Sequence, residues 1–248
     1  MSNELTDRKF WANYWESKTD LAFAVPVNYT FHQLFKKLLA NKNIKTAIEL
    51  GGFPGYYAIF LKKYFGLDTT LFDFYVHQPV LTEVLAANQL TTGDVKVIEG
   101  DLFKHEPLQQ YDLVLSCGLI EHFQDTKDII ARHLQFLKPG GTLFITLPNF
   151  TGLNGWVQRT YDMDNYNKHN IDSMNPAQLA AYCKELGLQQ VEAYYYGHFS
   201  LWLENMKQQS GFTRGFLKAL WFAGKVFTKA VPMESKALSP YIVLQATK

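Results

Sequence analysis

The chain has 248 residues, a length that suits one large domain or one domain with sizeable insertions. Its 24 Lys+Arg against 23 Asp+Glu leave a formal charge of +1, which gives no global electrostatic case for nucleic acid. A 47% apolar and 19% charged composition excludes a disordered chain, and two widely spaced cysteines, Cys117 and Cys183, exclude a disulfide scaffold or a zinc module. The segment Met1–Arg8 has no apolar signal core, and no run of about 18 uncharged apolar residues occurs, so a soluble, cytoplasmic protein is expected. Aromatic residues, at 15%, point to a lined pocket as well as a core.

Helical and strand periods alternate along the chain. Asn28–Leu39 reads as a helix opening on a capping box, Thr30 with Gln33, and carrying Phe31, Leu34, Phe35, Leu38 and Leu39 on one face. After a polar turn at Asn41-Lys42-Asn43, Thr46–Leu50 is a short apolar run ending in glycines, the pattern of a buried strand. Tyr56–Tyr64 is helical, Asp68–Phe72 a strand, Pro79–Leu90 a helix and Val95–Ile98 a strand. Asp112–Ser116 is again a strand, and Thr126–Leu137 a helix broken by Lys138-Pro139-Gly140-Gly141. Thr142–Leu147 is the next strand, Pro176–Leu186 a helix, Gln189–Tyr195 a strand and Pro240–Ala246 a last strand. Strand–helix–strand units of about 20–30 residues imply parallel pairing with right-handed crossovers, hence an α/β sheet with helices on both faces. Asn149–Ser173 is polar and aromatic with weak periodicity, and a connection of that length reads as a lid or binding segment.

Ligands of such sheets sit beyond the carboxyl ends of the strands, where the strand order reverses. Glu49-Leu50-Gly51-Gly52-Phe53-Pro54-Gly55 follows the first strand, its glycines allowing a tight turn and a helix N-terminus behind it pointing unpaired N–H groups at a ligand. A dinucleotide fingerprint needs glycines at 51, 53 and 56, and Phe53 and Tyr56 disqualify it. Asp73 closes the second strand, where a carboxylate accepts both hydroxyls of a ribose and Phe74 offers a face for an adenine. Gly100-Asp101-Leu102 follows the third strand and Ser116-Cys117-Gly118-Leu119-Ile120-Glu121-His122 the fourth. Chemistry-bearing residues at four successive strand ends are more telling than any one motif.

These segments, with Tyr111–Ser116 and Leu137-Lys138-Pro139-Gly140-Gly141, resemble in order and spacing the class I S-adenosylmethionine-dependent methyltransferases over residues 45–148. The resemblance implies a Rossmann-like sheet of seven strands, mostly parallel, whose last strand, Tyr241–Ala246, inserts antiparallel. It implies S-adenosylmethionine as cofactor and S-adenosylhomocysteine as product. Glu49, Gly51, Gly52, Phe53 and Gly55 would approach the methionine moiety, Asp73 the ribose, Asp101 with Leu102 the adenine, and Cys117 with Gly118 the sulfonium. Phe53 replaces the usual middle glycine, although some families carry the Gly-x-x-Pro-Gly turn that Gly51–Gly55 matches. Tyr14, in the aromatic segment Phe10–Trp15, is expected in an N-terminal helical lid (residues 1–44) close to the methionine carboxylate. Residues 45–248 then form the methyltransferase domain, with the lid insertion at 149–175.

A sulfonium methyl needs little beyond alignment and water exclusion, so a base is optional. His122, at the end of the fourth strand, and His169, in the long insertion, are the candidate catalytic residues, with His198 a weaker third. No metal is expected. Trp156, Tyr161 and Tyr166 are expected to line an apolar, enclosed acceptor site, which favours a small organic molecule accepting at O or N. Ser116-Cys117-Gly118-Leu119 lacks the Asn/Asp-Pro-Pro-aromatic turn of DNA amino-methylating enzymes, and no basic stripe interleaved with aromatics is seen, so no nucleic acid partner is expected.

Gly211–Val231 reads as an amphipathic helix insertion. Arg214, Lys218, Lys225 and Lys229 fall within an arc of roughly 60°, with Phe212, Phe216, Leu220, Val226, Phe227 and Val231 opposite. The favoured reading is a helix capping the acceptor pocket with a solvated basic face; the alternative is docking on an anionic membrane to collect a lipid or quinone precursor. A non-catalytic adenosyl-binding module is the remaining reading. Oligomeric state is not legible.

Overall fold

The computed structural model describes residues 3–40 and 43–248, so Met1, Ser2 and the expected polar turn at Asn41-Lys42 lie outside the described residues. The strands are β1 (Thr46–Leu50), β2 (Asp68–Asp73), β3 (Val95–Glu99), β4 (Tyr111–Cys117), β5 (Leu137–Pro148), β6 (Gln189–Tyr196) and β7 (Tyr241–Thr247). They form a seven-stranded sheet in the order β3-β2-β1-β4-β5-β7-β6. The first five pair in parallel, and β7 runs antiparallel between β5 and β6, as the resemblance implied. The strand order reverses between β1 and β4, which places the ligand crevice above Leu50 and Cys117.

Alternation along each strand sends its side chains to two cores. Ile48, Leu50, Val114, Leu143, Ile145 and Leu147 join one face with helices α5 (Thr126–Gln135) and α8 (Pro176–Glu185). Ala47, Leu113, Leu115, Phe144 and Val243 join the other with α2 (His32–Leu39), α3 (Tyr56–Phe65) and α4 (Gln78–Ala87). Helices therefore cover both faces.

Three local expectations are corrected. The capping box at Thr30 does not form: α2 begins at His32, and its N-cap, Phe31, is left-handed at φ 66° with no side-chain cap. The Phe31 ring lies 5.0 Å from Tyr241 and 6.4 Å from Phe144, and burial there outweighs the local capping preference. Strand β5 starts at Leu137, the last residue of the expected helix, and runs through the expected breaker, because Leu137 pairs with Tyr111 while Gly140 and Gly141 exchange hydrogen bonds with Lys248. The segment 149–173 is largely ordered as α6 (Leu153–Tyr161), α7 (Met163–Tyr166) and a 3₁₀ turn at Ile171–Ser173.

The remaining helices are α1 (Arg8–Glu16), in which no residue is buried, and α9 (Gly211–Ala230). Helix α9 does not cap the acceptor cavity with its apolar face. It packs through Leu217 onto Val157 and Leu203, and through Gly224 onto the Phe199 ring. Phe212 and Phe222 point outward, 87% and 65% exposed, with Phe216, Val226, Phe227 and Val231 also exposed. No described helix is long and apolar enough to cross a membrane.

Candidate active site

The turn after β1 is shaped by its neighbours. Gly51 is left-handed (φ +61°), and a Cβ there would overlap Leu119; at Gly52 it would overlap the Glu49 side chain. Glu49 Oε2 accepts from Ala58 N at 2.7 Å, and Tyr57 N also donates to this carboxylate. The first turn of α3 is therefore capped by Glu49 and does not present all its N–H groups to a ligand, a correction to the sequence reading. Burial pushes the Glu49 carboxyl up to about 8 against the pull of these two amides. Gly55 (φ +92°) lies beneath the turn against Leu71, outside the cavity lining.

Asp73 ends β2 almost fully buried. Its Oδ2 accepts from Phe53 N at 2.8 Å and its Oδ1 from Tyr75 N at 3.0 Å. Phe53 thus contributes its amide where the usual glycine would stand, while its ring is buried 5.2 Å from Trp15. Asp73, Phe74, Leu102, Gly51, Gly118 and Leu119 line a small cavity of about 60 Å³. Asp101 is not in that lining: it caps its own turn at Phe103 N (2.9 Å) and pairs with Lys104 (2.7 Å). Trp11 and Trp15 of α1 line this cavity as well and keep it narrow. The segment before α1 and the start of that helix are strapped across the site by Leu5 N to His122 O (2.8 Å) and Arg8 Nε to Phe74 O (3.2 Å).

A larger cavity of about 450 Å³ opens at the β1/β4 switch. Glu49, Gly51, Gly52, Phe53, Cys117, Gly118 and Tyr14 all line it, so most of the expected cofactor residues converge. Tyr14 OH stands 3.5 Å from Glu204, with Lys18 over its ring at 4.3 Å. One wall is aromatic, from Tyr29, Phe31, Tyr57, Trp202 and Tyr241; the opposite corner is polar, from Glu121, His122, Asn165, Lys168, His169 and Glu204. The expected Trp156, Tyr161 and Tyr166 do not line it, and His198 is exposed elsewhere, so the acceptor-wall expectation is corrected. The residues that replace them come from the α2 entry, α7 and the 202–204 loop. Their only signal in the sequence was aromatic richness.

His122 and His169, two separate candidates in the sequence, lie together with ring centroids 4.8 Å apart. His122 Nδ1 lies 3.0 Å from Lys168 O and His169 Nδ1 2.7 Å from Asn165 O. A carbonyl only accepts, so each Nδ1 carries the proton and each Nε2 offers a lone pair. Burial lowers His122 to about 3, aided by His169, and lowers His169 as well. Burial also pushes the Glu121 carboxyl up to about 8.

A family model described as a methyltransferase domain matches residues 26–193. The chain belongs to the methyltransferase domain family. Its seven-stranded sheet with β7 antiparallel is the fold that the class I resemblance implied. Among solved structures it is similar to Haemonchus contortus phosphoethanolamine N-methyltransferase 2, complexed with S-adenosylhomocysteine (18% identity, TM-score 0.59), covering 87% of this chain and 51% of that one. The chain thus spans about half the length of that enzyme. A methyltransferase from Archaeoglobus fulgidus matches at 15% identity and TM-score 0.57, covering 87% and 91%. A putative sarcosine dimethylglycine methyltransferase from Galdieria sulphuraria matches at 16% and 0.59, covering 97% of both chains. A comparison with curated protein sequences gives no match at the threshold applied.

Proposed function

We propose that the enzyme methylates O or N of a small organic acceptor held in the 450 Å³ cavity. The observation that carries this reading is one open-mouthed cavity lined by the glycine turn after β1, aromatic side chains and a cluster of polar ones. When bound, S-adenosylmethionine supplies a sulfonium methyl that is already electrophilic. Asp73 and Phe74 would hold its adenosine end, and Glu49, Gly51, Cys117, Gly118 and Tyr14 its methionine end. Trp11 and Trp15 would serve as a lid that leaves the adenosine cleft on entry and closes afterwards, with residues 149–175 as the opposite wall. His122 is too weak a base at neutral pH to take up a proton, so its Nε2 orients the acceptor, and alignment and dryness do the rest. Incubation with radiolabelled cofactor and fractionated small-molecule extract tests this. Label in a small-molecule fraction is expected, whereas label only in protein or nucleic acid would overturn it.

A second reading is favoured by the outward apolar face of α9 flanked by Arg214, Lys218, Lys225 and Lys229: docking on an anionic bilayer to reach a lipid-like acceptor. No Asp or Glu lies between Asn205 and Met233, which suits a negative surface. Co-sedimentation with anionic vesicles and its loss in Phe212→Ser/Phe222→Ser are expected. Equal recovery with neutral vesicles, or none with either, removes this reading.

A further inference from the structure

We propose that Glu121, His122 and His169 form a binding site for a divalent first-row transition cation, through which the enzyme holds a hydroxyl-bearing acceptor. The second half of this inference rests on reading the main cavity as the acceptor site. The three side chains offer one oxygen and two ring nitrogens that all lie within 4.8 Å of one another. Glu121 is 1% exposed, and its Oε2 has no hydrogen-bond partner. A buried carboxylate oxygen without a partner is costly and calls for a compensating group. The two Nε2 atoms cannot supply it, because their protons sit on Nδ1, held by the carbonyls of Lys168 and Asn165. Three potential ligand atoms thus face one another, and the carboxylate oxygen among them has no hydrogen-bond partner.

The surroundings hold this arrangement firmly. Asn170 N donates to Glu121 O at 2.6 Å, and Asn170 Nδ2 to Phe123 O and Gln124 O at 2.9 Å each. With His122 bound to Lys168 O, both sequence neighbours of His169 are stapled to the turn that carries Glu121 and His122. Two imidazoles and one carboxylate suit divalent transition metals, and three protein ligands leave positions open for substrate. The Nδ1–H to carbonyl bonds are the outer-shell contacts that orient metal-binding histidines. An ion about 2.1 Å from each donor in tetrahedral geometry would set the donors about 3.4 Å apart, so closure draws them together by up to about 1.4 Å.

Charge decides the acceptor. Two neutral imidazoles and one carboxylate leave a dication with one net positive charge, which an oxyanion balances. A cation-bound hydroxyl releases its proton to solvent. The oxygen's electron pair then forms the new O–C bond as the C–S pair returns to sulfur, giving a neutral thioether. This places the acceptor atom at oxygen.

Titration of the purified full-length chain with Co²⁺, followed by its visible absorption, tests the site directly. S-adenosylhomocysteine binding is measured in parallel by calorimetry. One equivalent of Co²⁺, displaced by Zn²⁺, is expected. Glu121→Gln and His169→Ala should each weaken it at least tenfold, and exposed His198→Ala should not change it. No saturable Co²⁺ binding, or binding that both site variants retain, overturns the site. If S-adenosylhomocysteine still binds in that case, the methyltransferase reading stands and only the cation is lost. If neither binds, the reading beneath it fails as well.

Discussion

Replacing Asp73 by Asn separates cofactor binding from fold maintenance at the residue on which both converge. The carboxylate offers about four lone-pair positions, and the amides of Phe53, Tyr75 and Phe74 all bear on it. At least one remains for a vicinal diol. Asn keeps one oxygen, so it loses one charge-assisted bond to the diol and turns an NH₂ against one of these amides. Hydrogen bonds to charged groups contribute about 1.5–3 kcal/mol, so a loss of about 2 kcal/mol, roughly 30-fold in Kd for S-adenosylhomocysteine, is expected. The pH dependence gives an independent check. Burial raises the Asp73 carboxyl from 3.8 to about 6, against the pull of the Tyr75, Phe53 and Phe74 amides. Because the folded value is raised, this group's stability contribution is full below about 4 and is lost as pH rises through 6. Cofactor binding runs the other way, since the diol donates to the ionised form. Kd should rise about tenfold per unit as pH falls below 6 in the wild type, and stay nearly flat in Asp73→Asn. Calorimetric titrations at pH 5 and 7.5 decide it. A Kd within threefold of wild type in a folded variant, or the same pH slope in both proteins, refutes the assignment of the diol to Asp73.

Two further perturbations probe the scaffold beneath the site. Gly52→Ala puts a methyl into the Glu49 side chain and so uncaps α3; overpacking of this kind costs about 1–3 kcal/mol. The melting temperature should fall by several degrees with weaker cofactor binding, and an unchanged melt would show that Glu49 yields without penalty. Burial raises the Asp112 carboxyl, but Lys138 (2.8 Å), the amides of Lys45 and Thr46 and the Thr46 hydroxyl together lower it to about 2. A depressed value contributes stability above 3.8 that is lost as pH falls through 2. Solvent screening discounts this partly exposed pair, so Asp112→Asn should cost about 1 kcal/mol at pH 7 and progressively less toward pH 2. Denaturant melts at both ends of that range measure the gap, and a constant difference would contradict the linkage.

The sheet was legible because buried parallel strands are written as short apolar runs closed by glycine or an acid, as in Thr46–Leu50 and Asp68–Asp73. The cofactor turn was legible for the same reason: Gly51, Gly52 and Asp73 are dictated by backbone approach within two adjacent units. What escaped depends on distant partners. Helix α6 forms where Gly155 lies against the backbone of Phe150, and Asn149 Nδ2 holds that stretch to the carbonyls of Lys236 and Ser239. Asp162, which caps α7, also accepts from Asn205 N. No periodicity within 149–173 encodes those contacts. The aromatic wall escaped likewise, since Tyr29, Trp202 and Tyr241 meet only through the tertiary fold.

The narrow cleft beside Asp73 and the weakly held α1 go together. The cleft measures about 60 Å³, yet the helix lining it buries none of its residues. Apart from Arg8 Nε on Phe74 O and Trp15 on the Phe53 ring, its ties are surface pairs, Arg8 with Glu99, Glu16 with Tyr75, and Lys18 with Glu204 just beyond its end. Such pairs contribute about 0–1 kcal/mol each, far less than the sheet contacts beneath them. Lifting α1 therefore costs little beyond exposing Trp11 and Trp15, and an adenosyl group in the cleft restores that apolar contact. Trp11 also lies edge-on to His122 at 5.1 Å, so the helix that roofs the adenosine end also shields the Glu121–His122–His169 corner from water. Closure over the cofactor would then dry both ends of the methyl's path in one movement, which is what transfer from a sulfonium to a weak nucleophile requires.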